Sequence, residues 1–251
     1  MLYYFKILDT YFSRKAESRD ILSSEDFSPE AVILRQPIIN PGGNTLSVLI
    51  PPWHGNSDGW PFDFLTKRLT KKGDAVLAYT FHDELLKPDV VQVLQSFKVV
   101  QKEVAHRLEE LSNQYNRIHL IGTSLGCAAL CLIAEAYPDF DAATLVVPGS
   151  NLAYCMWNGI RTQHIRTELE KSDKHWNYED LNKVWQPIAP ISHVAAFKDK
   201  PVTAYISTTD RVIPSDSQRE IVGALSEAGA DVTEHASRLG HLATIGKYCL
   251  V

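Results

Sequence analysis

Ile118-His119-Leu120-Ile121-Gly122-Thr123-Ser124-Leu125-Gly126 is the stretch on which the reading of the whole chain turns. An apolar run of strand character stops at Gly-Thr-Ser-Leu-Gly, and an apolar stretch of helical character, Cys127 to Ala136, follows with no linker. Ser124 therefore stands where a strand ends and a helix begins. Glycines at 122 and 126 remove the Cβ atoms that would collide in so sharp a turn, which frees the backbone for an unusual conformation and pushes the serine hydroxyl into the open. Such a hydroxyl becomes a nucleophile when a base takes its proton, and the oxyanion it creates requires N–H donors. The backbone N–H of Leu125, first residue of the helix, is one candidate donor. An ordinary βα turn packed with small residues accounts for the same five positions, so the rest of the chain must separate the two readings.

Outward from this turn, strand and helix patterns alternate. Ala31 to Ile39 and Thr45 to Ile50 read as two strands around the turn formers Asn40-Pro41-Gly42-Gly43-Asn44, which predicts a hairpin. A loop rich in Pro, Gly and Trp, from Pro51 to Pro61, leads to a helix that starts near Phe62 and ends at Gly73. Ala75 to Phe81 is a short strand, and an amphipathic helix is expected from about Asp89 to Asn113. Downstream of the serine turn come a strand at Ala142 to Val147, another at Pro201 to Ser207, a helix at Ser215 to Leu225, a strand at Asp231 to His235 and a closing helix from Leu242. This alternation implies a mainly parallel central sheet with helices on both faces, whose ligands gather beyond the carboxyl ends of the strands. It fails over residues 149–190, where Tyr154, Trp157, Trp176, Tyr178 and Trp185 stand among many charges. That segment is expected to be a helical insertion above the carboxyl end of the sheet, its aromatic residues either roofing a pocket or forming core. Residues 1–30 read as an N-terminal helical extension and connector.

With 251 residues, 45% of them hydrophobic, the chain can bury the core of one large α/β domain. Its net charge of -5 is spread along the whole length, with no basic stripe to hold nucleic acid. The apolar opening Met1 to Asp9 lacks a basic leader and is broken by Lys6, so neither a signal peptide nor a membrane span is expected. Four cysteines, Cys127, Cys131, Cys155 and Cys249, form no C-x-x-C pair, and no histidines stand at metal-ligand spacing. The expectation is a cytoplasmic protein without disulfide framework, metal or cofactor.

A serine nucleophile in this layout needs a base and a carboxylate from loops after later strands. His241 follows Gly240 just past the last expected strand, and Asp210 follows the strand that ends at Ser207. A turn-capping role accounts equally well for Asp210 taken alone. The loop after the preceding strand, Pro148-Gly149-Ser150-Asn151, holds no carboxylate to compete, and Asp216 is a weaker rival in the first turn of the next helix. His106, His119, His164, His175 and His235 are expected to be structural or solvent-facing, while His82 and His193 stay open as pocket residues.

These residues resemble the α/β-hydrolase superfamily from Thr45 to the C-terminus: the nucleophile elbow Gly122 to Gly126, the acid in Thr209-Asp210-Arg211-Val212-Ile213-Pro214 and the base in Gly240-His241. The resemblance extends to His54-Gly55 after an early strand. It implies that Asn56 supplies the second oxyanion N–H beside Leu125, and that His54 organises this loop and is not the base. It also implies a hydrolase core of residues 31–148 and 191–251 carrying a helical cap at 149–190. The chain departs from the family in its short closing helix and in the absent or remodelled first strands, and no His-Gly-Gly-Gly signature is present.

The activity so implied is cleavage of a small-molecule carboxylic ester, with Trp53 and Trp60 near the oxyanion loop hinting at an apolar acyl or alcohol group. A thioesterase or acyltransferase would use the same three side chains, and a non-catalytic binding protein would use the same fold.

Overall fold

In the computed structural model, residues 32–55 and 59–250 are described. The expected N-terminal helical extension, residues 1–30, and Asn56 lie outside them. The strands are β1 (Ile33–Arg35), β2 (Thr45–Ile50), β3 (Ala75–Phe81), β4 (Arg117–Thr123), β5 (Ala142–Val146), β6 (Pro201–Ser207) and β7 (Asp231–Ser237). They form one sheet in the order β1-β3-β2-β4-β5-β6-β7, parallel throughout except for β1. The chain leaves β2 for β3 on one side and returns to place β4 on the other. That reversal opens a crevice at the carboxyl ends of β2 and β4, the place where sheets of this kind bind ligands. Register fixes the geometry there: Ile50 at the end of β2 lies opposite Gly122, and Gly122 lies opposite Leu145.

The expected hairpin does not form. β1 pairs antiparallel with β3, Ile33 opposite Phe81 and Arg35 opposite Tyr79, so β3 separates it from β2. The side chains of β2 are buried on both faces after Thr45, a pattern that calls for strand neighbours on both sides. β1, with Leu34 45% exposed and Arg35 exposed beside it, suits an edge.

Helices α1 (Phe62–Lys71), α2 (Val90–Leu111) and α3 (Leu125–Ala136) precede β5, and α7 (Ser215–Glu227) and α8 (His241–Leu250) follow β6 and β7. Asp89 caps α2, its Oδ1 accepting from the N–H groups of Val91 and Gln92 at 3.1 and 3.0 Å. The helix buries Val93, Phe97, Val100, Val104 and Leu108, one stripe at helical spacing. α3 is buried almost all round, as its unbroken apolar sequence demands. On the opposite face, α1 and α8 close a second core with Phe62, Leu65, Ile245 and Tyr248 against Leu49 and Val76.

Between β5 and β6 lie α4 (Leu152–Asn158), α5 (Gln163–Lys171) and α6 (Tyr178–Trp185), followed by 3-10 turns at Gln186–Ile188 and Pro190–Phe197. Trp185 is fully buried, and its Nε1–H donates to the carbonyl of Val90 at 2.9 Å, tying α6 to the start of α2. Tyr154 meets Tyr178 edge-on at 6.3 Å, and the Arg166 guanidinium sits 5.1 Å from the Trp157 ring. These aromatic residues therefore hold the helices together.

Candidate active site

The backbone at Ser124 has φ 53° and ψ -119°, a region that a serine occupies only when its surroundings impose it. The surroundings are β4 and α3. The Ser124 N–H donates to the Val146 carbonyl of β5 at 2.8 Å, and its own carbonyl accepts from the Cys127 N–H at 2.9 Å. Both flanking glycines are required by space. A Cβ at Gly122 would lie 2.9 Å from the Gly126 carbonyl oxygen, and one at Gly126 would lie 2.3 Å from the Ile50 oxygen and 2.5 Å from that of Pro51. The turn places Ser124 and the N-terminus of α3 together, where the Leu125 N–H belongs to the first turn that has no partner inside the helix.

His241 opens α8 after Gly240, whose φ is 72°, and its Nδ1–H donates to Asp210 Oδ2 at 2.7 Å. Asp210 is 6% exposed and His241 9%. The other carboxylate oxygen accepts from the N–H groups of Val212 and Ile213 at 2.8 and 3.1 Å. Asp210 thus does both jobs weighed for it, closing its own turn with one oxygen and holding the imidazole with the other. Nδ1 being engaged, Nε2 is the nitrogen left to take a proton. Ser124 and His241 line a common cavity of about 290 Å³. Ser124 Oγ makes no hydrogen bond among the described residues, an arrangement common before a ligand binds.

The cavity runs between the carboxyl ends of the strands and the α4–α5 helices. Leu152, Cys155 and Met156 of α4 form its roof, and Val212, Ile213 and Ile245 line it further. None of the five expected roof aromatics is among its lining residues; their helical spacing turns them into packing between helices. Trp53 lines it, whereas Trp60 does not and is 36% exposed.

By sequence, no family model and no curated protein matches the chain. By shape, it superposes on an esterase of Pyrococcus furiosus, Pf2001, with TM-score 0.62 at 14% identity, over 92% of this chain and 91% of that one. It also superposes on Est1E of Butyrivibrio proteoclasticus, solved with ferulic acid bound, with TM-score 0.59 at 15% identity over 87% and 92% of the two chains. The chain has the α/β-hydrolase fold. An acylaminoacyl peptidase of Pyrococcus horikoshii matches at TM-score 0.62 and 15% identity over 82% of this chain, which spans only 34% of that larger protein.

Within this α/β-hydrolase fold, His54 sits at φ 58° after β2, and its Nδ1 lies 2.6 Å from Asp83 Oδ1, so its partner is a carboxylate beyond β3. Its ring lies 4.0 Å from that of Trp53. A Cβ at Gly55 would meet Pro52 Cδ at 2.6 Å, and the Gly55 N–H donates to the Pro52 carbonyl at 2.8 Å. The His-Gly pair is therefore a tight turn at the cavity edge.

The other histidines divide by their contacts. His193 lies 2.9 Å from Glu135 Oε2 and 3.1 Å from the Pro187 carbonyl, buried away from the cavity. His119 contacts Thr144 Oγ1 at 2.9 Å within the sheet, and desolvation pulls its pKa down to about 4. His235 stacks on Tyr205 at 4.8 Å. His164 belongs to α5 and is exposed, yet it also lines the cavity and stacks on Trp53 at 6.2 Å. Asp216 accepts from the Tyr154 hydroxyl at 2.6 Å, a contact that holds its carboxyl below the usual range; it does not face His241.

Sequence reading missed Gln218. This fully buried side chain donates from Nε2 to Asp210 Oδ2 at 3.0 Å and to the Ile213 carbonyl at 2.8 Å, and its Oε1 accepts from the Ser207 N–H at 2.9 Å. It fastens the Asp210 loop to the end of β6. The available signal was its place on the apolar stripe of α7 with Ile221, Val222 and Leu225.

Burial pushes the Cys131, Cys155 and Cys249 thiols up to about 12 and Cys127 well up, so all four cysteines are inert packing groups. Among the described residues, no group of three or more His, Cys, Asp or Glu side chains could hold a metal ion, and no helix is long and apolar enough to cross a membrane.

Proposed function

We propose that the protein is a serine hydrolase that cleaves a carboxylic ester with a small or moderately apolar acyl group, through Ser124, His241 and Asp210. The observation that carries this reading is the 2.7 Å imidazole–carboxylate pair opening onto the same cavity as a serine held at φ 53°. Ser124 Oγ attacks the ester carbonyl as His241 Nε2 takes its proton, and the resulting imidazolium passes that proton to the departing alcohol. Water then attacks the acyl-enzyme with His241 again as base, releasing the acid and restoring the serine. Asp210 keeps the imidazole in the tautomer with the proton on Nδ1 and stabilises its charged form.

The N–H groups of Leu125 and Asn56 stabilise the oxyanion, each donor contributing about 3 kcal/mol in comparable sites. His54, tied to Asp83, shapes the turn that leads to Asn56. Helices α4 to α6, residues 149–190 with their connections, act as the cap over the acyl group, and its aliphatic lining suits a short apolar chain. The esterase from Pyrococcus furiosus supports the choice of an ester. Replacing Ser124 by Ala abolishes turnover of 4-nitrophenyl butyrate in a protein that melts as the wild type does; undiminished turnover would reject the mechanism.

A further inference from the structure

Asp210 is held by more donors than its turn requires. Oδ1 accepts from the Val212 and Ile213 N–H groups, and Oδ2 accepts from His241 Nδ1–H at 2.7 Å and from Gln218 Nε2–H at 3.0 Å. An ionised carboxylate offers about four sites for hydrogen bonds, so all are taken on this side chain, which has no exposed surface. Oδ1 closes the turn and Oδ2 meets the imidazole; the amide of Gln218 shares Oδ2. Fastening the loop does not need that bond. The bonds from Nε2 to the Ile213 carbonyl and from the Ser207 N–H to Oε1 already join the loop, α7 and β6. The same two bonds decide which end of the amide is nitrogen, because a flipped amide would set two N–H groups against each other at Ser207. Gln218 is also fully buried, and its neighbour Ser217 accepts from the Ser150 N–H at 2.9 Å, which pins the start of α7 to the loop after β5. The donor is therefore fixed beside the oxygen that holds the base.

A donor on Oδ2 draws negative charge away from the atom that faces the imidazole and makes it a weaker acceptor. We infer that Gln218 is a positioning residue that tempers the base: by sharing Oδ2 it weakens the hold of Asp210 on the imidazolium, so that His241 gives up its proton more readily. The inference rests on the hydrolase reading of Ser124, His241 and Asp210 and adds a residue to it. Other titratable or charged groups stand near the pair: Cys155 of α4, whose thiol feels the Asp210 charge, exposed Arg211 next to Asp210 in the chain, and His54, Arg161 and His164, which line the cavity with His241. They stay in place when Gln218 is replaced and act alike on both proteins.

Gln218→Met keeps the length of the side chain and removes its donor. The test follows kcat/KM for 4-nitrophenyl butyrate from about pH 5 to 9 in both proteins. The acid limb of the variant lies about half a unit to one unit above that of the wild type, so on the acid side its rate, relative to its own plateau, is about threefold to tenfold lower. A loop merely loosened by the substitution moves the limb the other way, because a carboxylate drawn off from the imidazole stabilises the imidazolium less. An unchanged or lowered limb overturns the inference. A second measurement needs only the wild type: heteronuclear NMR follows the side-chain amide of Gln218 while the His241 ring titrates. As the imidazolium forms it claims Oδ2, and the Gln218 amide proton moves upfield with the midpoint of the His241 ring. An amide resonance that stays still overturns the inference, whether or not Gln218→Met folds. The absence of any Ser124-dependent turnover overturns the hydrolase reading beneath, and the NMR titration then still decides whether Gln218 answers to the charge on His241.

Discussion

Gly126→Ala tests the elbow through its sterics. The new Cβ would lie 2.3 Å from the Ile50 oxygen and 2.5 Å from the Pro51 oxygen, where ordinary contact begins at 3.4 Å. Both obstacles are backbone at the end of the central strand β2, so α3 must retreat by about 1 Å, carrying Ser124 and Leu125 with it. Overpacking of this kind costs about 1–3 kcal/mol. For a chain of this size that lowers Tm by about 2–12 °C. A displacement of about 1 Å at the reacting atoms lowers turnover by roughly a hundredfold. Gly223→Ala is the control. Gly223 is exposed in α7 with nothing within 4 Å of its added Cβ, so the helix gains about 1 kcal/mol and Tm rises by about 2–4 °C. Melting followed by circular dichroism and initial rates on 4-nitrophenyl butyrate read both variants. A Gly126→Ala protein with the Tm and rate of the wild type would show that the turn has room, and the steric account of the elbow would be wrong.

Gln218→Leu leaves the Ser207 N–H and the Ile213 carbonyl unpaired in a buried place and removes one donor from Asp210; urea denaturation should show a loss of about 3 kcal/mol, with turnover lowered about tenfold. Unchanged stability would mean that water reaches those groups. His119 has its pKa lowered from 6.5 to about 4 by desolvation, so it stays neutral in the fold while the unfolded chain takes a proton. Its contribution is complete above pH 6.5 and is lost as pH falls from there to about 4, worth about 2 kcal/mol once partial solvent contact is allowed for. His119→Gln should reduce the stability difference between pH 7 and pH 4.5 by that amount, and an equal loss in both proteins would contradict it.

Much of the fold was legible because its elements are short and strongly patterned. Ala75–Phe81 and Pro201–Ser207 have the bounds read from their apolar runs and turn formers, and the alternation of strand and helix indicated the parallel sheet. Pairing was less legible. The Asn40–Asn44 turn suggested a hairpin, but a strand buried on both faces takes its neighbours from distant parts of the chain, and local sequence does not encode which. The aromatic residues of 149–190 announced burial without saying against what; packing between helices claimed them, and the smaller Leu152, Cys155 and Met156 meet the cavity. In the candidate site, the nearness of Asp210 and His241 was readable because each follows the carboxyl end of a strand, and β6 and β7 are neighbours with Ser207 opposite Ser237. Gln218 was not singled out, since a polar residue in a helix looks solvated until the tertiary structure surrounds it.

Incubation of the folded protein with a fluorophosphonate probe, followed by peptide mass spectrometry, bears most directly on whether Ser124 is an activated nucleophile. The predicted result is one covalent adduct, on Ser124, formed at a rate that collapses in His241→Ala. A folded protein that stays unlabelled at Ser124, or one labelled equally fast without His241, would contradict the account.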